Sequence, residues 1–120
     1  QSGLFNPSAD RDLTMKLIDP PTRIYDTRQQ DGRFKRGETR KIPTGRRGAV
    51  FVNVTAVDPT GDGFLTGWGA GPMPNVSIVN YLPSVTICNS AWLPVAGDGT
   101  IQIYSYSECD VIVDLQAIAE

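Results

Sequence analysis

The 120-residue chain contains no histidine and only two cysteines. Without histidine, the chain cannot form a Ser-His-Asp or Cys-His nucleophilic arrangement or a histidine-based metal centre. Two cysteines alone cannot complete a zinc site either. Because no other nucleophile is visibly paired with a base, we predict a non-enzymatic protein with no catalytic residues, no cofactor and no metal.

Long apolar runs and helical periodicity are also missing. No run approaches the ~20 apolar residues that cross a bilayer, and no basic-then-apolar leader begins the chain as given. We therefore expect a soluble protein with no membrane partner, from which a leader could have been removed. Nine prolines and twelve glycines are spread along the chain, which is typical of many short strands joined by turns.

Lysine and arginine are absent after Gly48. Residues 1–47 hold eleven basic and six acidic residues, a net charge of +5, whereas residues 48–120 hold no basic and seven acidic residues, a net charge of −7. Either basic and acidic strands neighbour each other within one domain, or the basic half docks on an acidic surface of another subunit or on an anionic partner. Because the chain as a whole is acidic and its basic half has few aromatic residues, we do not expect nucleic acid as a partner.

The stretch from Ala49 to Trp68 is the clearest structural signal. Its first nine residues alternate between two faces and are rich in β-branched side chains, which predicts a strand with Val50, Val52, Val54 and Ala56 on one face. Turn-forming residues at 58–63 separate this strand from a second apolar run. The pattern predicts a hairpin.

The rest of the chain has the same character. Strands are predicted at residues 22–28, 38–43, 50–57, 64–68, 76–82, 85–95, 100–106 and 110–118. The chain should therefore form an all-β domain, an antiparallel β-sandwich or a jelly-roll-like barrel of about eight short strands.

The first 21 residues show no sustained period and end in the pair Pro20-Pro21, which disfavours a helix. We predict an extended N-terminal arm over residues 1–21, followed by a single β domain over residues 22–120. The arm is too apolar for a free tail, and we expect it to pack on its own domain or on a neighbour through Leu4, Phe5, Leu13, Met15, Leu17 and Ile18.

The two cysteines, Cys88 and Cys109, flank a second Gly-Asp-Gly turn at residues 97–99. If residues 85–95 and 100–106 form a hairpin across this turn, Cys109 lies one or two strand spacings (~4.8 Å each) from Cys88. We predict a disulfide and hence an oxidising or extracellular setting, the alternative being two free buried thiols.

Four charged residues, Arg23, Asp26, Arg28 and Asp114, fall within strand-like segments, where burial without a partner would be costly. We hypothesise that Asp26 or Asp114 pairs with Arg23 or Arg28 and fixes the register of a sheet. The alternative is that all four side chains alternate to the wet face.

Four aromatic residues, Trp68, Trp92, Tyr104 and Tyr106, lie in predicted strands. They are candidate platforms for stacking on a glycan, although aromatic residues in strands also serve in cores and interfaces. Exposed, coplanar rings of Trp68 and Trp92 would favour glycan binding, whereas a buried pair with an exposed apolar arm would favour assembly.

Short motifs recur in a distinctive order over residues 20–118. They are Arg23-Ile-Tyr-Asp-Thr-Arg28, Gly37-Glu-Thr-Arg40, Val50-Phe-Val-Asn-Val-Thr-Ala56, Gly63-Phe-Leu-Thr66, Pro74-Asn75, Val79-Asn80-Tyr81 and Asp110-Val-Ile-Val-Asp-Leu115. This order resembles an all-β domain of secreted actinobacterial proteins and of virion proteins of actinobacteriophages, including capsid-surface and tail-associated proteins. The chain departs from the family in its two cysteines and in ending at Ala117-Ile118, where the family more often closes on Gly and an aromatic residue. The resemblance implies a non-catalytic surface module.

We therefore expect a structural or adhesive protein of a virion surface, such as a capsid decoration or tail-associated subunit. Its arm would anchor it to a capsid or tail protein, and it would associate with copies of itself, for example as a homotrimer. The alternative is a secreted module that binds carbohydrate or cell wall, with a host cell-surface glycan as its partner. The expected location is the virion surface, or otherwise outside the cell.

Overall fold

A computed structural model describes residues 14–120 of the chain. This range contains no helix, and its eight strands are β1 (Met15–Asp26), β2 (Glu38–Pro43), β3 (Ala49–Val57), β4 (Gly63–Trp68), β5 (Val79–Tyr81), β6 (Ile87–Pro94), β7 (Thr100–Ser105) and β8 (Asp110–Ala119). Within that range, then, no helix could cross a membrane.

The strands form two four-stranded antiparallel sheets. Sheet 1 has the order β1-β8-β3-β6, and sheet 2 has the order β2-β7-β4-β5. The two sheets pack face to face, so the fold is an all-β sandwich and not a closed barrel. The predicted fold class is confirmed.

The core lies between the inner faces of the two sheets. On β3 the predicted alternation holds, because Val50, Val52, Val54 and Ala56 are fully buried while their neighbours are half-buried. On β8, Val111 is fully buried as well, and the facing sheet contributes apolar side chains from all four of its strands. Because side chains alternate between the two faces of a strand, every second side chain points into the core.

The two predicted hairpins are wrong. β3 and β4 belong to different sheets, and so do β6 and β7. The turns at residues 58–62 and 95–99 therefore carry the chain from one sheet to the other. Each of these strands presents an apolar inner face, so a strand can pack across the core from its neighbour in sequence as readily as it can pair beside it.

Residues 15–21, which the sequence assigns to the arm, lie in β1. Met15 and Leu17 are register partners of Ala119 and Ala117 in β8, so β1 crosses the predicted boundary at residue 21. The arm residues Leu4, Phe5 and Leu13 lie outside the described residues.

The basic and acidic halves of the chain meet within one domain. In the described residues, basic side chains of the first half reach acidic side chains of the second half: Arg23 to Asp114, Arg33 to Glu108 and Asp110, Lys41 to Asp98, and Arg46 to Glu120. These contacts follow from the strand order, because the late strands β7 and β8 lie beside the early strands β2 and β1. Neutralisation within the domain is therefore the alternative that the structure supports.

Gly48 should be the glycine in the loop before β3 that tolerates substitution least. Gly48 and Gly45 both have positive φ angles, but a Cβ at Gly48 would collide with the backbone carbonyl of Ala119, whereas a Cβ at Gly45 would meet nothing within 4 Å. The left-handed conformation costs about 1 to 2 kcal/mol at either position. The collision adds about 1 to 3 kcal/mol at Gly48 alone.

Urea unfolding of Gly48→Ala and Gly45→Ala measures this difference directly. We expect Gly48→Ala to lose clearly more stability than its matched control. Equal losses for the two variants would contradict the close approach of Gly48 to the end of β8.

Candidate functional site

One open side of the sandwich, between edge strands β1 and β2, is closed by an arginine. Arg40 and Glu38 of β2 pair with inward-facing residues of β7 and so point towards the other sheet. The Nε of Arg40 donates to Glu38 at 2.9 Å, and its guanidinium lies over the ring of the fully buried Phe34, 4.4 Å from the centroid. A cation over an aromatic face is attracted electrostatically while the ring stays shielded from water.

The remaining donors of Arg40 join two other segments, β1 and the turn after it. They reach the hydroxyl of Tyr25 in β1 at 3.1 Å and the carbonyl oxygens of Gly32 and Arg33 at 2.7 Å each. Hydrogen bonds from Arg40 also hold the pKa of Glu38 below its ordinary value. A lysine has no planar fork of donors and could not make all of these bonds at once.

The four charged residues singled out in the sequence all take part in ion pairs. Arg23 and Asp114 are register partners across β1 and β8, and their side chains meet at 3.0 Å. Asp26, whose side chain is only 7 % exposed, accepts two hydrogen bonds of 3.0 Å from the guanidinium of Arg28 and lies 3.7 Å from Arg23. The hydrogen bonds from Arg28 lower the pKa of Asp26. Because both arginines are about half exposed, solvent screens the two ion pairs, and a role in setting the register stays a prediction.

Arg33 joins the turn after β1 to the segment before β8, and the sequence reasoning missed it. Its guanidinium donates to Glu108 at 3.1 Å, to Asp110 at 2.8 Å and to the carbonyl oxygen of Asp58 at 2.7 Å. The signal for this contact was the separation of charge along the chain, because one of its two interpretations placed basic residues of the first half beside acidic residues of the second.

The predicted disulfide is wrong. Cys88 lies on β6 at the edge of sheet 1, where it is exposed beside Thr55, whereas Cys109 is fully buried and pairs with Phe34. The prediction required β6 and β7 to form a hairpin, and the two strands belong to different sheets. Both thiols are free, but only one of them is buried, so the alternative of two buried thiols fails as well.

Cys109 lies in a small polar network within the core. Its Sγ is 3.3 Å from the hydroxyl of Ser105, which is itself 2.9 Å from the hydroxyl of Tyr81. Burial raises the pKa of the Cys109 thiol. The buried thiol is therefore a poor nucleophile, since the thiolate is the reactive form.

The four aromatic candidates separate into two groups. Trp68 is only 8 % exposed and donates through Nε1 to the carbonyl oxygen of Gly71, whereas Trp92 is 41 % exposed and packs on Phe51 of β3. The two tryptophans therefore do not form an exposed coplanar pair. Tyr104 and Tyr106 extend in a different direction, over the outer face of sheet 2, where both pack on the ring of Phe64 at centroid distances of 5.8 and 5.5 Å.

The second open side of the sandwich is a cleft of about 460 Å³. One wall is a continuous run of β6 from Asn89 to Pro94, and the other is formed by residues around 67–68 and 74–78. The side chain of Asn89 crosses the cleft and donates to the carbonyl oxygen of Ile78 at 2.9 Å. This contact ties the two sheets together at the side opposite Arg40.

Two glycines allow the end of β4 to approach β6 at this side. A Cβ at Gly67 would come within 2.9 Å of the side chain of Leu93 in β6, and a Cβ at Gly69 would come within 2.5 Å of the carbonyl oxygen of Pro94. The contact at Gly69 is with backbone, so a larger residue there would push β6 away from the end of β4. The two glycines thus let the end of β4 lie close to β6.

The lining of the cleft decides what it can hold. Among residues 14–120 the lining contains no charged residue and combines apolar side chains such as Val76 and Trp92 with small polar ones such as Ser77 and Ser90. Within residues 14–120 no cluster of His, Cys, Asp and Glu is suited to a metal ion. The cleft therefore suits an uncharged, extended polypeptide better than an ion or an anionic ligand.

Comparison with known proteins adds no assignment, because no protein-family model and no curated protein matches the chain.

Thiol labelling tests the environments of the two cysteines. Under native conditions we expect one thiol per chain to react with a chromogenic disulfide reagent, because Cys88 is exposed and Cys109 is buried. Denaturation without reductant should raise the count to two. The variant Cys88→Ser is the control and should show no reactivity under native conditions. A denatured wild-type chain without any reactive thiol would show that Cys88 and Cys109 do form a disulfide.

Proposed function

We propose that this protein is a non-enzymatic structural subunit of a phage virion surface, such as a capsid decoration or tail-associated subunit. The order of its sequence motifs supports this setting. The N-terminal residues would anchor it to a capsid or tail protein, and copies of the chain would associate with one another. The observation that carries the anchoring role is the exposed apolar start of β1.

Met15 and Leu17 are 71 % and 76 % exposed. Being two residues apart on a strand, they project from the same face, and their register partners Ala119 and Ala117 are too small to cover them. Residues 1–13, which include the apolar Leu4, Phe5 and Leu13, lead directly into this strip. Adjacent exposed apolar side chains mark an interaction site more often than isolated ones do.

The body of the domain is consistent with a structural part. Its core is continuous between the two sheets, and both open sides of the sandwich are bridged by hydrogen bonds, through Arg40 on one side and Asn89 on the other. The acidic and basic residues of the two halves pair within the domain instead of forming one strongly charged surface. Such a domain can present itself on a particle without depending on charge for attachment.

Rebinding to particles tests the anchoring role. Virions assembled without this protein are mixed with the purified full chain or with the double variant Met15→Ser/Leu17→Ser, and bound protein is measured after sedimentation. We expect the amount of the double variant that sediments with the particles to be at least tenfold lower than that of the wild type. Both replaced side chains are exposed, so circular dichroism should show the same fold for both chains.

Either of two other results would count against the proposal. Equal binding of both chains would show that the exposed start of β1 is not the anchor. The absence of binding by the full chain would contradict the virion role itself.

A second candidate function is the binding of a carbohydrate at the outer face of sheet 2. The observation that favours it is the cluster of Phe64, Tyr104 and Tyr106, in which the rings of Phe64 and Tyr106 stack with an interplanar angle of 21°. Phe64 also borders a depression of about 240 Å³, whose other lining residues include Thr66, Asn75, Ser77 and Asn80. Aromatic faces beside amide and hydroxyl groups match the apolar faces and hydroxyl groups of sugars.

Retention on purified actinobacterial cell-wall polysaccharide tests this second function. We expect Tyr106→Ala to reduce retention at least tenfold, because it removes an exposed ring of the cluster. Trp92→Ala is the matched control, since it removes an exposed aromatic ring elsewhere and should leave retention unchanged. Equal retention of both variants and the wild type would exclude the cluster as a sugar platform.

A further inference from the structure

Two open sheets have four edge strands, and three of these are closed to further pairing. β2 carries Glu38, Arg40 and Lys41 within six residues and ends in a proline. β5 is only three residues long. β1 contains Pro20 and Pro21, which lack N–H groups, and its pairing is irregular between Leu17 and Thr22. Charges, prolines, irregular pairing and short length are the usual features that prevent a sheet from adding another strand.

The fourth edge, β6, has none of these protections over most of its length. Its eight residues, Ile87–Pro94, include no charged side chain, and a single proline lies at the very end. Among the described strands it pairs with β3 alone. The N–H of Val95 donates to the carbonyl oxygen of Gly48, just before β3. Because peptide groups in an antiparallel ladder point alternately towards and away from the partner strand, those of Cys88, Ser90 and Trp92 point away from β3. The N–H of Ser90 donates to Oδ1 of the neighbouring Asn89 at 3.0 Å, a bond to a side chain at the surface. The cleft described above runs along this edge.

Exposed apolar side chains lie on β6, across the cleft from it and in the chain segment that precedes it. Ile87 and Trp92 belong to β6, Val76 lies on the opposite wall of the cleft, and Leu82 and Val85 lie in the segment that leads from β5 into β6. A surface of this kind beside an unpaired strand is typical of strand addition, in which backbone hydrogen bonds and apolar contacts act together.

We propose that β6 pairs antiparallel with β6 of a second copy of this chain, joining two copies of sheet 1 into one continuous eight-stranded sheet. Among the edges of the described fold, β6 is the one that another β6 can meet, because the other three carry charges, prolines or too few residues. Two uncharged edges also meet without like-charge repulsion, although residues 48–120 of each copy carry a net charge of −7. The pairing is isologous, so it closes at two copies and does not extend into a filament.

The alternation of peptide groups also restricts the register. Hydrogen bonds between the copies must join even-numbered residues of β6, since these are the ones that face the free edge. Among the registers that satisfy this condition, we choose the one with Ser90 on the two-fold axis, which lies near the middle of β6 and places Cys88 opposite Trp92 of the second copy and Ile87 opposite Leu93. In this register the N–H of Ser90 leaves Oδ1 of Asn89 and donates to the second copy. It also keeps Pro94, which cannot donate, at the end of the pairing. The expected assembly is therefore a dimer, or an even-numbered oligomer built from it, in place of the trimer expected from the sequence.

Light scattering of the purified full chain is the first test. We expect twice the chain mass for the wild type and for Ser90→Ala, and the mass of a single chain for Ser90→Pro. The two variants lose the same hydroxyl, whose partners are Asn53 and Gln116. They differ in the peptide N–H, which donates to Asn89 in the single chain and which strand addition needs. A wild type that is monomeric over the whole accessible concentration range, or equal masses for both variants, would overturn the pairing.

Cross-linking provides a second test that does not require Ser90→Pro to fold. In a Cys88→Ser background, Ser90→Cys places two thiols opposite each other on the two-fold axis, at a Cα separation of about 5.5 Å, which a disulfide can span. Mild oxidation should convert most of this double variant into a covalent dimer, whereas Cys88→Ser alone, which keeps only the buried Cys109, should stay uncross-linked. The absence of cross-linking in the double variant would overturn the register and the pairing.

The inference rests on the proposed assembly role, but its tests use the purified protein without virions. If the chain forms the β6 dimer and does not bind particles, the virion role fails and the pairing stands. If the chain binds particles as a monomer, the pairing fails and the virion role stands. A dimer that persists in Ser90→Pro and is lost on removal of residues 1–13 would assign self-association to the N-terminal segment and overturn the β6 pairing.

Discussion

The fold depends on one requirement, which is that two open four-stranded sheets must exclude water from the space between them. The inner faces exclude water because apolar side chains alternate inwards along each strand. The two sides where edge strands face each other need separate closures. At one side Arg40 covers Phe34 and binds Tyr25 on the opposite edge. At the other, Asn89 reaches Ile78, and two glycines let the walls come close, yet a cleft remains. The cleft and the open edge of β6 are thus consequences of how the sandwich is closed.

The order of the strands explains why the chain separates its charges so sharply. The late strands β7 and β8 each lie between two other strands, and each pairs with an early edge strand. Basic residues of the first half therefore meet acidic residues of the second half, as Arg33 meets Asp110. Because these pairings join distant parts of the chain, sheet 1 cannot be completed until β8 is in place and sheet 2 until β7 is in place. Such an arrangement is associated with slow folding.

The surface features of the domain fall into three regions with different chemistry. The start of β1 exposes Met15 and Leu17, the β6 side exposes an uncharged strand edge with apolar neighbours, and the outer face of sheet 2 carries the aromatic cluster around Phe64. A subunit that is anchored at one place and joined to a copy at another needs two separate contact regions, and the first two regions lie on opposite edges of sheet 1. That separation allows both contacts to exist at once.

The sequence by itself determined the all-β class, most of the eight strands and the side of β3 that faces the core. A period of two in a run such as Val50 to Ala56 leaves no other assignment, because burial of one face requires it. The sequence also identified Arg23, Asp26, Arg28 and Asp114 as candidates for ion pairs, because they are charged residues within strand-like segments. Only the tertiary structure decided which strands pair, and so it placed β4 and β7 in the opposite sheet from β3 and β6, separated Cys88 from Cys109 and separated Trp68 from the exposed Trp92. The physical reason is that an apolar strand face can be buried equally well beside a neighbour in the same sheet or across the core from it, and the choice depends on the packing of the whole domain and not on any single stretch of sequence.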